Sequence, residues 1–171
     1  DLTAVLRMVP PALRQRIYAN LCDIPEGIPP SRLMELYQYL TPFFRDVAVV
    51  MRHSKLQGSI KNTLSRLHAA GVRMVGIELP SIPTNLEIEW TKSTLALAKQ
   101  LGLITKVINV TRWSDVLAFA EGGVQLISGP VLVTPSRKLL PPKRLTIAEV
   151  RNRVNEDTSM DDMARIKSSV G

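Results

Sequence analysis

The 171-residue sequence predicts an α/β protein in which parallel strands alternate with helices, a partial or incomplete (β/α) barrel. Three observations carry this. Short apolar runs, many of them β-branched, recur along residues 16–128, and amphipathic stretches with apolar residues three and four apart lie between them. The connections are only a few residues long. Parallel neighbours need a helical crossover, and such crossovers are right-handed.

In chain order, DLTAVLRM (1–8) reads as a short helix and RIYANLCDI (16–24) as the first strand. SRLMELYQYLTPFF (31–44) is an amphipathic helix, with Ser31 after a Pro-Pro as its expected cap. AVVMRH (48–53) is the next strand, followed by the helix SIKNTLSRLHAAG (59–71) and the strand VRMVGIEL (72–79). EIEWTKSTLALAKQLG (87–102) is a helix, LITKVIN (103–109) a strand, SDVLAFAEGG (114–123) a helix capped by Ser114, and VQLIS (124–128) the last strand. Gly71 and Gly102 stand where helices end and the chain turns into a strand. The unit β-α therefore occurs four times and a fifth strand closes the series. A closed eight-stranded barrel needs about 250 residues, so sheet edges are left for a partner or the chain's own tail to cover.

After residue 135 the character changes. The β/α domain is expected over 1–135. Residues 136–171 follow as a basic linker, a short helix and a flexible tail. SRKLLPPKRL (136–145) carries Arg137, Lys138, Lys143 and Arg144 around a Pro-Pro, and serves equally well as a linker or as a docking segment. Thr146 can cap a helix over 146–154, and the polar remainder is expected to be flexible.

Bulk composition narrows the function. Hydrophobic residues make up 45% and aromatics 5%, so the core must be aliphatic. One cysteine, Cys22, allows neither an internal disulfide nor a cysteine zinc site, which points to a reducing, cytoplasmic setting. Its apolar neighbours predict a buried, inert thiol. No run approaches the roughly 20 apolar residues of a membrane span, and the start lacks signal-peptide order, so no membrane contact is expected from this stretch. An initial Asp is expected of a piece of a larger protein, which could be anchored elsewhere. The formal charge of +7 is spread along the chain, with no aromatic-interleaved basic stretch and no helix-turn-helix pattern. A nucleic-acid polymer is therefore not expected as a partner.

Few residues offer chemistry. His53 and His68 are the only histidines, and neither has the neighbours of a catalytic triad. Arg52, Lys55 and Lys61 cluster after one strand, where an anion could bind. Trp90 and Trp113 begin helices and should pack against the sheet. GGVQLISGP has turn glycines but no phosphate-loop spacing.

Three segments resemble the EAL family, the (β/α)₈-barrel domains that hydrolyse cyclic di-GMP in bacteria. AVLRMVPPALRQRIYANLCDI is similar to the family's "il...p.l..rl.lEltE" segment, and LSRLHAAGVRMVGIEL to "L..l..l.vd.lKiD". LALAKQLGLITKVINVTRWSDVLAFAEGGVQLISGPVLVTP resembles the stretch that carries "AEGVET" and "G.d..QGy..s.P". The resemblance spans residues 4–135 and implies an EAL-type barrel. It also implies what is missing. The family holds two divalent cations with carboxylates at strand ends, beside a lysine and a glutamate that orient and activate water. Here Asn20 takes the place of the first glutamate of "EltE", Asp23 that of its second acid, and RHSKL (52–56) replaces the aspartates of "DDFG". Gly76 replaces the lysine, Glu78 the following aspartate, Ile108 and Thr111 both glutamates of "AEGVET", and Ser128 the glutamine, while Gly129 is kept.

Hard cations want several anionic oxygens, and Asp23 with Glu78 falls short of that. The expectation is a degenerate, non-catalytic EAL-like domain, without metal or cofactor. It would be a regulatory or adaptor module of a bacterial signalling protein, contacting another signalling protein or a second copy of itself. The alternative is a non-hydrolysing receptor for cyclic di-GMP or a related dinucleotide, with Arg52, Lys55 and Ser128 as phosphate contacts.

Overall fold

The computed structural model describes residues 2–25, 27–52, 59–133 and 145–157. Helix α1 (Leu2–Arg7) and the single turn α2 (Pro11–Arg14) lead to β1 (Tyr18–Cys22). Helix α3 (Pro30–Leu40), prolonged by a 3-10 turn at Thr41–Phe43, leads to β2 (Asp46–Met51). Then come α4 (Ile60–Ala69), β3 (Met74–Glu78), α5 (Asn85–Gln100), β4 (Ile104–Ile108), α6 (Trp113–Glu121) and β5 (Leu126–Ile127). A last helix, α7, covers 147–157. The strands form one parallel sheet in the order β1-β2-β3-β4-β5, so each β-α unit places its strand beside the one before it. The sheet is open, with β1 and β5 at its edges among the described residues.

Alternation along the strands divides two faces. Val47, Val49 and Met51 of β2, Val75 and Ile77 of β3 and Val107 of β4 face the helices. There they meet Leu64 and Leu67 of α4, Ile88 and Leu95 of α5, and Val116 and Phe119 of α6. Each such side chain contributes about 1.5–3 kcal/mol on burial, which makes this layer the main source of stability. On the opposite face Ala48, Val50 and Met74 are buried under Tyr18, Ile104, Ile108 and Leu126. β2 is buried along its whole length, which explains its unbroken apolar run.

Several boundaries differ from expectation for local reasons. β2 begins at Asp46 rather than residue 48. The Asp46 carboxylate is held inside by Tyr37 Oη, which donates to Oδ1 at 3.1 Å, and by the Val47 N–H at 2.9 Å. Ser31 does not cap α3, because Pro30 already supplies the first helical residue and needs no N–H partner. Ser114 lies inside α6, whose cap position is Arg112. The side-chain cap that does form is Thr84 on α5: its Oγ1 accepts from Glu87 N at 3.2 Å, and Glu87 Oε2 accepts from Thr84 N at 2.8 Å. Gly71 (φ +78°) and Gly102 (φ +74°) do end their helices in the left-handed region.

Thr146 caps α7 in the same reciprocal way with Glu149, and the helix runs three residues beyond the expected Val154. Val150 joins the main core and Arg151 Nη2 pairs with Glu121 of α6 at 2.7 Å. The remainder of the basic segment, 136–144, and the tail from 158 lie outside the described residues. Trp90 and Trp113 pack against the core as expected. Cys22 does not: it is exposed, because among the described residues β1 is an edge strand with no neighbour on its outer side.

Candidate site at the carboxyl ends of the strands

In a parallel sheet the carboxyl ends of all strands gather along one edge, where loops can place side chains together. Here that edge carries Asp23 after β1, Arg52 after β2, Glu78 at the end of β3, Asn109 after β4 and Ser128 after β5. Arg52 is the centre of it. Its Nε donates to Glu78 Oε2 at 2.7 Å and its Nη1 to Asp23 Oδ1 at 3.4 Å, so one guanidinium bridges the ends of three adjacent strands. The Glu78 hydrogen bond and charge, then the charge of Asp23, raise the Arg52 pKa above its ordinary value. The cation is therefore permanent, and both carboxylates are answered by it.

The backbone around this bridge is specialised. Asp23 and Asn109 both have positive φ, 57° and 66°, a conformation that asparagine and aspartate tolerate better than other side chains. Asn109 secures it by donating from Nδ2 to Leu79 O at 2.9 Å, which ties the exit of β4 to that of β3. Gly129 packs so closely on the Val110 backbone that a Cβ would collide with it, which accounts for a glycine at that turn. Two cavities flank Arg52. One of about 240 Å³ runs towards the helices past Ile24, Leu33, Met51, Thr63 and Leu67. The other, about 230 Å³, is walled by Glu78, Pro80, Ser81, Glu87 and Asn109.

One turn deeper on the open face, Cys22, Val50, Gly76, Lys106 and Leu126 are register partners in a row across all five strands. Lys106 Nζ donates to Asn20 Oδ1 at 3.0 Å, a contact between β4 and β1. Two strands lie between them, so the lysine must extend across the sheet. Gly76 permits this: a Cβ there would stand 3.7 Å from Lys106 Cβ and 3.2 Å from Val50 Cγ2. Partial burial lowers the Lys106 pKa, with the opposing influence of Cys22 smaller.

The residues singled out as phosphate contacts are dispersed. Arg52 is engaged by two acids. Ser128 donates from Oγ to Val107 O at 3.4 Å on β4's side, and β3 and β4 separate its strand from that of Arg52. Lys55, like His53, lies outside the described residues. Lys61 and His68 are exposed on α4. Asn109 is legible in the sequence as a strand-end residue but not as a tie between strands, and Lys106 went unnoticed, although a lysine inside the apolar strand ITKVI was a visible irregularity. Among the described residues, no three His, Cys, Asp or Glu side chains are grouped closely enough to hold a metal ion. No protein-family model and no curated protein matches the sequence.

Proposed function

We propose that the chain is a non-catalytic, EAL-like regulatory or adaptor domain of a bacterial signalling protein, working in the cytoplasm through protein–protein contact. The observation that supports this most is the Arg52 bridge. A divalent cation seated by Asp23 and Glu78 would have to displace a guanidinium from both and then remain beside it. Like charges at such distances repel, and a divalent ion beside a guanidinium does so twice as strongly as a monovalent one. The bridge thus satisfies the two acids without a metal, which supports a domain that does not activate water as the resembled family does.

The sequential parallel sheet supports the partial-barrel part of the reading, and an apolar rim supports contact. Ile82 (89% exposed), on the segment that links β3 to α5, and Leu86 (72% exposed), in the first turn of α5, stand at the same end as Arg52. Exposed apolar side chains at a rim favour a protein surface over water. No helix among the described residues is long and apolar enough to cross a membrane.

The deciding experiment is incubation of the purified chain with cyclic di-GMP and Mg²⁺ or Mn²⁺. No hydrolysis is expected, and metal-dependent turnover would refute the reading. Pull-downs with residues 136–171 present and deleted then test whether the basic segment carries the contact. The second reading, a non-hydrolysing dinucleotide receptor, draws on the cavity beside Arg52. Calorimetry without heat at high micromolar cyclic di-GMP removes it.

A further inference from the structure

The cavity of about 240 Å³ beside Arg52 opens between β2, α4 and the loop that runs from β1 to α3. Its floor is aliphatic. Leu33, Val49, Met51 and Leu67 form it, and each is at most 8% exposed, so the cavity reaches into an interior that is elsewhere close-packed. Ile24 and Ile28 of the loop close one side, and Arg66 of α4 donates from Nη2 to Ile28 O at 2.6 Å. That bond ties the loop wall to the helix wall. The polar part of the lining is small and carries both signs: the Asp23 carboxylate, the guanidinium groups of Arg52 and Arg66, and the Thr63 hydroxyl. A guanidinium has several N–H donors and a carboxylate several lone pairs, so the Arg52–Asp23 contact at 3.4 Å exhausts neither group.

An aliphatic floor favours a hydrocarbon body, and a volume below the roughly 300–1,000 Å³ of pockets for drug-sized ligands favours a small one. Carboxylate and guanidinium groups in one lining favour a ligand that likewise carries both charges. No aromatic ring stands among the described lining residues, so a nucleobase has nothing to stack on. We propose that the cavity binds a free aliphatic α-amino acid of about the size of leucine. The side chain lies on Leu33, Met51 and Leu67, the carboxylate faces Arg52 and Arg66, and the ammonium faces Asp23. A plain fatty carboxylate would meet a like charge at Asp23, and a plain amine would meet two guanidinium groups. Thr63 adds a hydroxyl able to bond either end of the ligand. The inference is independent of the adaptor reading and competes with the dinucleotide reading for the same cavity.

The test uses the full chain with its methionine methyl groups labelled with ¹³C, followed by NMR during titration with L-leucine. Met51 lines the cavity, whereas Met74 is buried on the opposite face of the sheet and Met8 is 81% exposed. Met51 should shift saturably at millimolar leucine while Met74 and Met8 stay in place. Alanine, three carbons shorter, should bind about fiftyfold more weakly, and 4-methylpentanoate, which lacks only the ammonium, about tenfold more weakly. Asparagine tolerates the Asp23 backbone, with φ at 57°, so Asp23→Asn keeps the turn and should erase the preference for leucine over 4-methylpentanoate. A Met51 signal that ignores leucine overturns the proposal, and so does equal affinity for leucine and 4-methylpentanoate in the unaltered chain. Cyclic di-GMP that moves Met51 where leucine does not would overturn it in favour of a nucleotide.

Discussion

Arg52 and Glu78 meet at 2.7 Å across the ends of β2 and β3, and the same guanidinium reaches Asp23 at 3.4 Å. A cation supplied by the chain sits against the two acids that a metal would require. Its removal exposes them to each other. Arg52→Ala should change stability little, because the pair is exposed to solvent and screened by it. It should also create weak Mn²⁺ binding, in the millimolar range typical of sites with few charged ligands. Denaturant melts and Mn²⁺ paramagnetic resonance check the two halves, and an Arg52→Ala variant that takes up no Mn²⁺ would disprove the counter-ion role.

Gly76 lies beneath the Lys106–Asn20 crossing. A valine there must displace Val50 and lift Lys106 from the sheet, so Gly76→Val should destabilise by about 1–3 kcal/mol, the usual cost of overpacking. Gly76→Ala needs only a few tenths of an ångström at Val50 and should change stability by less than about 1 kcal/mol. Urea midpoints of the two variants give the comparison, and equal midpoints would contradict it.

Asn109 combines a left-handed backbone with a bond to Leu79 O. Alanine keeps neither advantage, and Asn109→Ala should cost about 1–3 kcal/mol. Glycine removes the backbone penalty but not the lost bond, so Asn109→Gly should fall between the two in thermal melts. The ranking is the measurement: glycine below alanine would mean that the conformation is not the source of the cost.

Tyr37 donates to the buried Asp46 carboxylate, and burial is the largest cause raising the phenol pKa above 10.0. The sign follows from proton counting. The unfolded phenol ionises first as pH rises through 10, so above that value the folded state holds the proton that the unfolded state has released. Stability from Tyr37 is complete below pH 10 and lost as pH climbs through the folded pKa. Wild type should therefore lose stability more steeply than Tyr37→Phe as pH rises above 10, while at neutral pH the variant should be weaker by about 1–2 kcal/mol for the lost bond to Asp46. Parallel alkaline profiles would count against it.

How far sequence reaches differs between the fold and the site. The strand and helix runs were legible because period two and period 3.6 are local properties, and Gly71 and Gly102 mark their helix ends through their own φ. The capping box Thr84–Glu87 was equally written in the sequence, as T-x-x-E, yet the eye is drawn first to Ser31 and Ser114. Those serines lie inside their helices, whose cap positions are Pro29 and Arg112. Cys22 shows the opposite limit. Its apolar neighbours suggest burial, but exposure depends on whether another strand pairs outside β1, and that is a property of the sheet.

The sequence alone determined the α/β alternation, the aliphatic core and the scarcity of acids at the strand ends, since each follows from residue type and spacing along the chain. The tertiary structure alone decided that Arg52 would bridge Asp23 and Glu78, and that Lys106 would reach Asn20, 86 residues away. Such contacts arise from the register of parallel strands, which the chain specifies only through packing of the whole sheet. A one-residue slip in β4 would send Lys106 into the helix layer. The charged residues are thus written in the sequence, but their partners are chosen by the fold.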